Sequence, residues 1–279
     1  MKINKILQTG REALLKNGID PREARLLLAF ILNVKTEEII KYKECLKEEA
    51  DKFLEFINRR CAGEPFAYIT GYKEFMKLNF KVNSNVLIPR EDTEILVQEI
   101  LSRTNLNDFK ALENIKILDM CTGSGCIAIS LAKYIENADV TAIDISKKAI
   151  EVAKENAIIN DVEVHFIESN LFENIQDQKF DIIVSNPPYI KKEVIPSLQV
   201  EVKREPIIAL DGGISGLDFY EKITSEASNY LTENGILAFE IGYDQGKSVS
   251  EIMKHNGLRN VITIKDLSGN DRVVIGEMW

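Results

Sequence analysis

The apolar positions of this chain change rhythm twice. Across residues 1–60 they recur at helical spacing. Asp20-Pro21-Arg22-Glu23 carries the marks of a helix start: a carboxylate able to cap, a proline for the first turn, and a glutamate three residues on. An apolar stretch from Leu26 to Leu32 follows, and Thr36 is read as opening a second helix. Phe53, Phe56, Ile57 and Arg60 then fall on one face of a third. The spacing predicts a small all-α domain over residues 1–72. Between 73 and 90 the alternation shortens. Leu78, Phe80 and Val82 point one way with polar residues between them, which predicts a β-hairpin linker.

From residue 91 to 279 short β-branched runs alternate with helical segments. Strands are expected at 115–119, 140–144, 162–167, 180–184, 236–241, near 260–265 and at 272–277. Helices are expected at 125–134, 146–159, 216–231 and 245–256. This alternation predicts an α/β domain with a mostly parallel sheet covered on both faces. Ligands of such sheets bind beyond the carboxyl ends of the strands.

Composition narrows the function classes. No apolar run approaches the ~20 residues of a membrane span, and the first residues lack the apolar core and cleavage site of a signal peptide. A cytoplasmic protein is expected. The net charge of −9 argues against broad contact with a phosphate backbone. Cys45, Cys61, Cys121 and Cys126 form no C-x-x-C pair, so no metal is expected. The two histidines, His165 and His255, are read as structural, which leaves little room for a histidine base.

The first strand of this domain runs into Asp119-Met-Cys-Thr-Gly-Ser-Gly-Cys-Ile-Ala128, where Gly123-Ser-Gly-Cys-Ile-Ala128 fits G-x-G-x-x-G/A. Asp144 ends the next strand, placed to accept hydrogen bonds from ribose hydroxyls. Together these point to an adenosine-containing cofactor. A nicotinamide dinucleotide would set its pyrophosphate on the helix amino terminus. S-adenosylmethionine has no phosphate and carries an ammonium and a sulfonium. Asp119, just before the loop, suits the cation and favours S-adenosylmethionine.

A later strand ends in Ser185-Asn186-Pro187-Pro188-Tyr189-Ile190. Here the sequence resembles the amino-methyltransferases, whose (N/D/S)-P-P-(Y/F) motif follows the fourth strand of a seven-stranded sheet. The resemblance gives the motif a chemical purpose. An amide or aromatic amine nitrogen is a weak nucleophile, and its N–H groups need acceptors that hold it in line with the methyl group. The Asn186 oxygen can be one acceptor and a backbone carbonyl beside the prolines, that of Pro187, the other. Both still accept as positive charge develops on nitrogen. Pro188 stiffens the turn, and Tyr189 can stack on the flat group.

Longer blocks make the resemblance more specific. Pro65-Phe-Ala-Tyr-Ile-Thr-Gly-Tyr-Lys-Glu-Phe-Met-Lys-Leu-Asn-Phe-Lys-Val82, Val86-Leu-Ile-Pro-Arg-Glu-Asp-Thr-Glu94 and Glu205-Pro-Ile-Ile-Ala-Leu-Asp-Gly-Gly-Ile-Ser-Gly-Leu217 look like the release-factor glutamine methyltransferases, over nearly the whole chain. The resemblance implies a Rossmann-like seven-stranded methyltransferase sheet with a small all-α N-terminal domain for substrate recognition. It also implies methylation of the glutamine amide in the Gly-Gly-Gln motif of bacterial class I peptide chain release factors. Carried over by position, Asp119, Cys121, Thr122, Gly123, Ser124, Gly125 and Asp144 bind the cofactor, with Leu171 beside the adenine and Asn186 shared with the clamp. Asn186, Pro187, Pro188 and Tyr189 form the catalytic set. Many relatives have glycine where this chain has Cys121, and an ordinary φ is expected for it. The Ile88-Pro-Arg-Glu-Asp-Thr-Glu94 segment reads equally as a helix start or a cleft wall, and Arg90 and Thr93 stay outside the catalytic set. A monomer without membrane or direct nucleic-acid contact is expected. The competing readings are a nucleic-acid adenine methyltransferase, a non-enzymatic S-adenosylmethionine sensor and, least fitting to the motif, a dehydrogenase.

Overall fold

The structure, a computed structural model, describes residues 1–104, 109, 112–176 and 178–279. The chain forms two compact units. One comprises Met1–Gly71 with Gln199–Arg204, the other Tyr72–Leu198 with Glu205–Trp279. No helix among the described residues is long and apolar enough to cross a membrane.

In the first unit, α1 (Ile3–Lys16), α2 (Glu23–Leu32), α3 (Lys47–Cys61) and the short α4 (Phe66–Thr70) surround Leu14, Leu27, Leu28 and Phe53. Two local expectations change in detail. The segment opened by Thr36 is a six-residue 3₁₀ turn, Thr36–Lys41. Asp20 and Pro21 make the turn before α2, with Asp20 Oδ1 accepting from the Arg22 amide at 2.8 Å. Glu23 closes no capping box. Its carboxylate takes a hydrogen bond from Arg60 Nε at 2.6 Å instead. Arg60 is only 5% exposed and also pairs with Glu201 at 2.5 Å. A buried guanidinium needs both acceptors, and that demand outweighs the weaker capping preference.

The second unit begins with the hairpin β1 (Tyr72–Phe75) and β2 (Leu78–Lys81), paired Tyr72↔Lys81 through Phe75↔Leu78. It continues through α5 (Thr93–Thr104), β3 (Ile115–Met120), α6 (Cys126–Tyr134), β4 (Ala138–Asp144), α7 (Lys147–Asn160), β5 (His165–Glu168) and β6 (Phe180–Ser185). It ends with α8 (Asp218–Tyr230), β7 (Leu231–Glu240), α9 (Gly246–His255), β8 (Arg259–Lys265) and β9 (Asp271–Glu277).

The seven strands β3 to β9 form one sheet in the order β5-β4-β3-β6-β7-β9-β8, parallel except that β9 runs against both neighbours. Alternation along the central strands feeds two apolar layers. Ile117, Ile182 and Ala238 pack on the side that holds Leu96, Ile100 and Ile129 of α5 and α6. Leu118, Ile183 and Leu237 pack on the side that holds Tyr220, Val249 and Met253 of α8 and α9. Because successive side chains of a strand face opposite ways, such strands read as continuous apolar runs. The strand order reverses between β3 and β6, where the chain, after going outward through β4 and β5, returns to the other side of β3. That is where a cleft opens in such sheets.

Candidate active site

The register places the two sequence motifs side by side. Met120, the last residue of β3, pairs with Ser185, the last of β6, and Ser185 Oγ donates to the Met120 carbonyl at 2.7 Å. The glycine loop and the Asn-Pro-Pro-Tyr segment therefore leave the sheet together.

The loop turns at once. Cys121 has φ +59°, which corrects the expectation of an ordinary value. The reversal lets the Thr122 amide reach the Ile143 carbonyl on β4 at 2.9 Å and the Thr122 hydroxyl reach Asp119 Oδ2 at 2.6 Å. A residue with a Cβ pays for this conformation with roughly 1–2 kcal/mol, against about 0.4–1 kcal/mol of extra unfolded-state freedom that glycine would bring. Cys121→Gly is thus expected to stabilise the protein by about 0.5–1 kcal/mol, read as a higher urea midpoint at unchanged slope. A lower midpoint would show that the thiol's packing outweighs the backbone strain. Gly125 is required on two counts: its φ is +81°, and a Cβ there would sit 2.9 Å from Ile129 Cδ1 and 3.1 Å from Ala153 Cβ, where α6 passes α7.

Two carboxylates organise this loop. Asp144 Oδ2 accepts from the Gly123 amide at 2.9 Å and Oδ1 from the Ser146 amide at 2.8 Å. Burial raises the Asp144 pKa, and these amides oppose the rise. Asp119 is wholly buried. Its Oδ2 accepts from Thr122 and from the Ala128 amide at 3.2 Å, and its Oδ1 has no partner. Burial pushes its pKa up from 3.8 to about 7. The folded value lies above the unfolded one. The neutral carboxyl therefore favours the fold fully below about pH 4, and this contribution is lost as pH rises through 7. Unfolding free energy is expected to fall between about pH 4 and pH 7, and Asp119→Asn should lessen that slope, the buried Glu240 contributing the same way. Urea titrations across the range test this, and an unchanged slope in the variant would remove Asp119 as its source.

A cleft opens above the loop. It is lined by Cys121, Thr122, Gly123, Ser124, Asp144, Leu171, Asn186 and Pro188 among the residues singled out from sequence. Asp119, Gly125, Pro187 and Tyr189 are not on its surface. Burial pushes the Cys121 and Cys126 thiols up, Cys126 to about 12, so both stay protonated near neutrality. Asn186 Nδ2 donates to Thr93 Oγ1 at 3.3 Å. With the amino end so engaged, the amide oxygen is the end left to accept. The Tyr189 ring packs with the apolar layer beneath, and its hydroxyl lies 3.5 Å from Glu240 Oε1. The segment around Leu210–Gly212 holds the motif by backbone bonds: Ile190 N to Leu210 O at 3.0 Å and Gly212 N to Ile190 O at 2.9 Å. His165 stands on β5, 3.5 Å from Asp139, and His255 ends α9; neither lines the cleft.

Sequence reasoning missed several lining groups. The segment read equally as a helix start or a cleft wall supplies Arg90 and Thr93 to the wall, while Ile145, Ser146, Ala149, Asn170 and Phe219 went unnamed. Glu205 is 4% exposed and accepts from the Ile88 amide at 2.9 Å and from the Arg90 guanidinium, so it fixes one wall without lining it. A carboxylate before a proline, at the head of the apolar run Ile207–Leu210, was the available signal. The partner 115 residues away was not.

The residues present fit S-adenosylmethionine. Gly123 leaves open space where a side chain would stand, with only the Cys121 carbonyl at 4.0 Å. Asp144 offers carboxylate oxygens at the cleft for ribose hydroxyls, and Ile145 and Leu171 offer apolar walls; Asp119 lies beneath the loop, off the cleft surface.

Comparison with known proteins agrees. A methyltransferase small domain matches residues 93–202, and a PrmC N-terminal domain matches residues 5–71. A release factor glutamine methyltransferase of Fusobacterium nucleatum is 42% identical over 275 residues, 95% of this chain and 76% of that protein. One from Clostridium acetobutylicum is 42% identical over 260 residues, 91% of this chain and 90% of that protein. Among solved structures, a methyltransferase from Pyrococcus furiosus superposes with TM-score 0.53 at 20% identity, covering 83% of this chain and 98% of its own; this similarity speaks to the fold. Since the identity runs through both units and the cleft is built for the expected cofactor, the chain belongs to the release factor glutamine methyltransferase family and is an S-adenosylmethionine-dependent methyltransferase.

Proposed function

We propose that this enzyme methylates the side-chain amide nitrogen of the glutamine in the Gly-Gly-Gln motif of bacterial class I peptide chain release factors. The observation that carries the reading is Asn186: it stands on the cleft wall beside the glycine loop with its Nδ2 committed to Thr93. An acceptor held there matches an N–H of a primary amide. The Pro187 carbonyl is assigned to the second N–H. Tyr189, whose ring packs beneath the cleft with its hydroxyl near Glu240, is assigned to hold the turn and to meet the flat amide only if that turn opens toward the substrate. When bound, S-adenosylmethionine supplies the methyl group, the C–S bond breaking as the N–C bond forms. The clamp aligns the nitrogen and stabilises the positive charge that develops on it, worth up to roughly 7–11 kcal/mol for ideal alignment. The surplus proton departs after transfer, so no strong base is needed beforehand. The Met1–Gly71 helical unit is assigned to holding the release factor, an assignment supported by its match to the family's N-terminal domain.

The test is intact-mass spectrometry of an unmethylated, folded release factor after incubation with the enzyme and S-adenosylmethionine, with fragmentation to locate the methyl group. One methyl on the Gly-Gly-Gln glutamine is expected. Absence of methyl there, with label instead on adenine of a nucleic acid, would replace the glutamine reading by the adenine one.

A further inference from the structure

Two prolines in succession deprive the Asn186–Tyr189 turn of two N–H donors, so it cannot be held from within as an ordinary turn is. Its entry is fixed by the sheet, where Ser185 pairs with Met120 on one side and Phe239 on the other. Its exit must be fixed from outside the motif. The bonds of Ile190 to Leu210 and Gly212 do part of this. The Tyr189 carbonyl is one residue nearer the clamp, and it accepts from Gln245 Nε2 at 3.1 Å.

Gln245 stands between β7 and α9, at the N-cap of α9, yet its side chain makes no capping bond. It is 6% exposed and reaches the motif instead. Nε2 also donates to the Gly216 carbonyl at 3.0 Å, while Oε1 accepts from the Gly242 amide at 2.9 Å and the Tyr220 hydroxyl at 3.4 Å. Carbonyls only accept and a backbone amide only donates, so the side-chain amide can sit only this way round. Two glycines make room for it. A Cβ at Gly216, whose φ is +76°, would stand 2.5 Å from the Tyr189 oxygen and 2.9 Å from Gln245 Nε2. One at Gly242 would stand 2.9 Å from Gln245 Oε1. A glutamine that leaves its own helix uncapped to join three backbone segments is placed for the motif.

We propose that Gln245 is a positioning residue for methyl transfer, its side-chain amide holding the exit of the Asn-Pro-Pro-Tyr turn so that the Asn186 oxygen and the Pro187 carbonyl keep their spacing. This rests on the amide-methylation reading. Gln245 is not on the cleft surface, so it acts on the reacting groups only through the motif. Without it the Tyr189 and Gly216 carbonyls lose a donor in a buried place, where an unmade bond is costly. The turn then shifts to regain a partner and carries the Pro187 carbonyl with it, and small misplacements of a clamp are expensive.

The test uses the full-length enzyme with a release factor as substrate. Gln245→Met keeps the length and removes the side-chain bonds. Gln245→Glu keeps the shape and the accepting half, but sets an oxygen against the two carbonyls. Both should lower kcat at saturating S-adenosylmethionine on the order of a hundredfold, with KM for the release factor and cofactor affinity changed by less than about threefold. The discriminating readout is the double variant with Asn186→Ala. There the clamp is already lost, and Gln245→Met should cost less than about threefold more. A merely structural loss would cost the same factor in both backgrounds. Equal factors, or wild-type kcat in Gln245→Glu, would overturn the proposal. Should Gln245→Met fail to fold, Gln245→Glu carries the same cycle. Should wild type fail to methylate glutamine at all, the functional reading falls, while hydrogen exchange still decides the role of Gln245. The Ile190 and Gly212 amides should exchange faster in Gln245→Met or Gln245→Glu than in wild type, and unchanged exchange would overturn the anchoring.

Discussion

Asn186→Ala is expected to lower the single-turnover rate of methyl transfer to a release factor by on the order of 10²–10³-fold, the usual loss when one preorganised group facing developing charge is removed. Binding of S-adenosylmethionine should change far less, because the cofactor's other contacts are assigned to the loop after β3 and to Asp144. Truncation to alanine removes the acceptor and leaves Thr93 without its donor. The substrate amide would then be free to rotate out of line, so the loss should appear in kcat more than in KM. Stopped-flow transfer rates at saturating cofactor, beside calorimetric cofactor binding, separate the two. Near-normal transfer by the variant would mean that Asn186 is not an acceptor in the transition state.

Gly212→Ala is expected to cost about a hundredfold in turnover although it adds one methyl group and lies outside the motif. A Cβ at this position would stand 2.6 Å from Tyr189 Cα and 2.8 Å from the Pro188 carbonyl oxygen. These are backbone atoms with no rotamer to move. The bonds from Ile190 to Leu210 and from Gly212 back to Ile190 tie the two strips together, so the methyl group must push the Pro-Pro-Tyr backbone toward the cleft or break the ties. Either displaces the clamp by a fraction of an ångström or more, in a site where small misplacement is expensive. Cofactor affinity should be held, since the loop after β3 does not touch Gly212. Turnover equal to wild type would show that the motif's backbone yields freely and that its geometry is not preset.

The parts of the molecule legible in sequence are those written within a few residues. The glycine loop, Asp144 at its strand end and the Asn-Pro-Pro-Tyr turn each carry a local signature, and the alternation of β3, β6 and β7 follows directly from a sheet buried on both faces. Thr93 carries none of its own: its segment reads equally as a helix start or a cleft wall, and its partner Asn186 stands 93 residues away. Gly212 was visible inside a quoted block, yet only the packed backbone shows why a side chain cannot stand there. Cys121 misled for a physical reason. A non-glycine residue argues for an ordinary φ, whereas here the demand that Thr122 reach both β4 and Asp119 overrides that preference.

The segment Gln199–Arg204 belongs to the helical unit although its neighbours on both sides belong to the sheet unit. Its Glu201 completes the ion pairing of Arg60, and Arg204 donates to the Ala62 carbonyl at 3.0 Å. On the ribosome, α1 to α4 are made first, yet the second carboxylate for Arg60 is not made until about 140 residues later. The amino-terminal helices therefore emerge with Arg60 paired to Glu23 alone, and its second carboxylate partner follows only after much of the second unit has been translated.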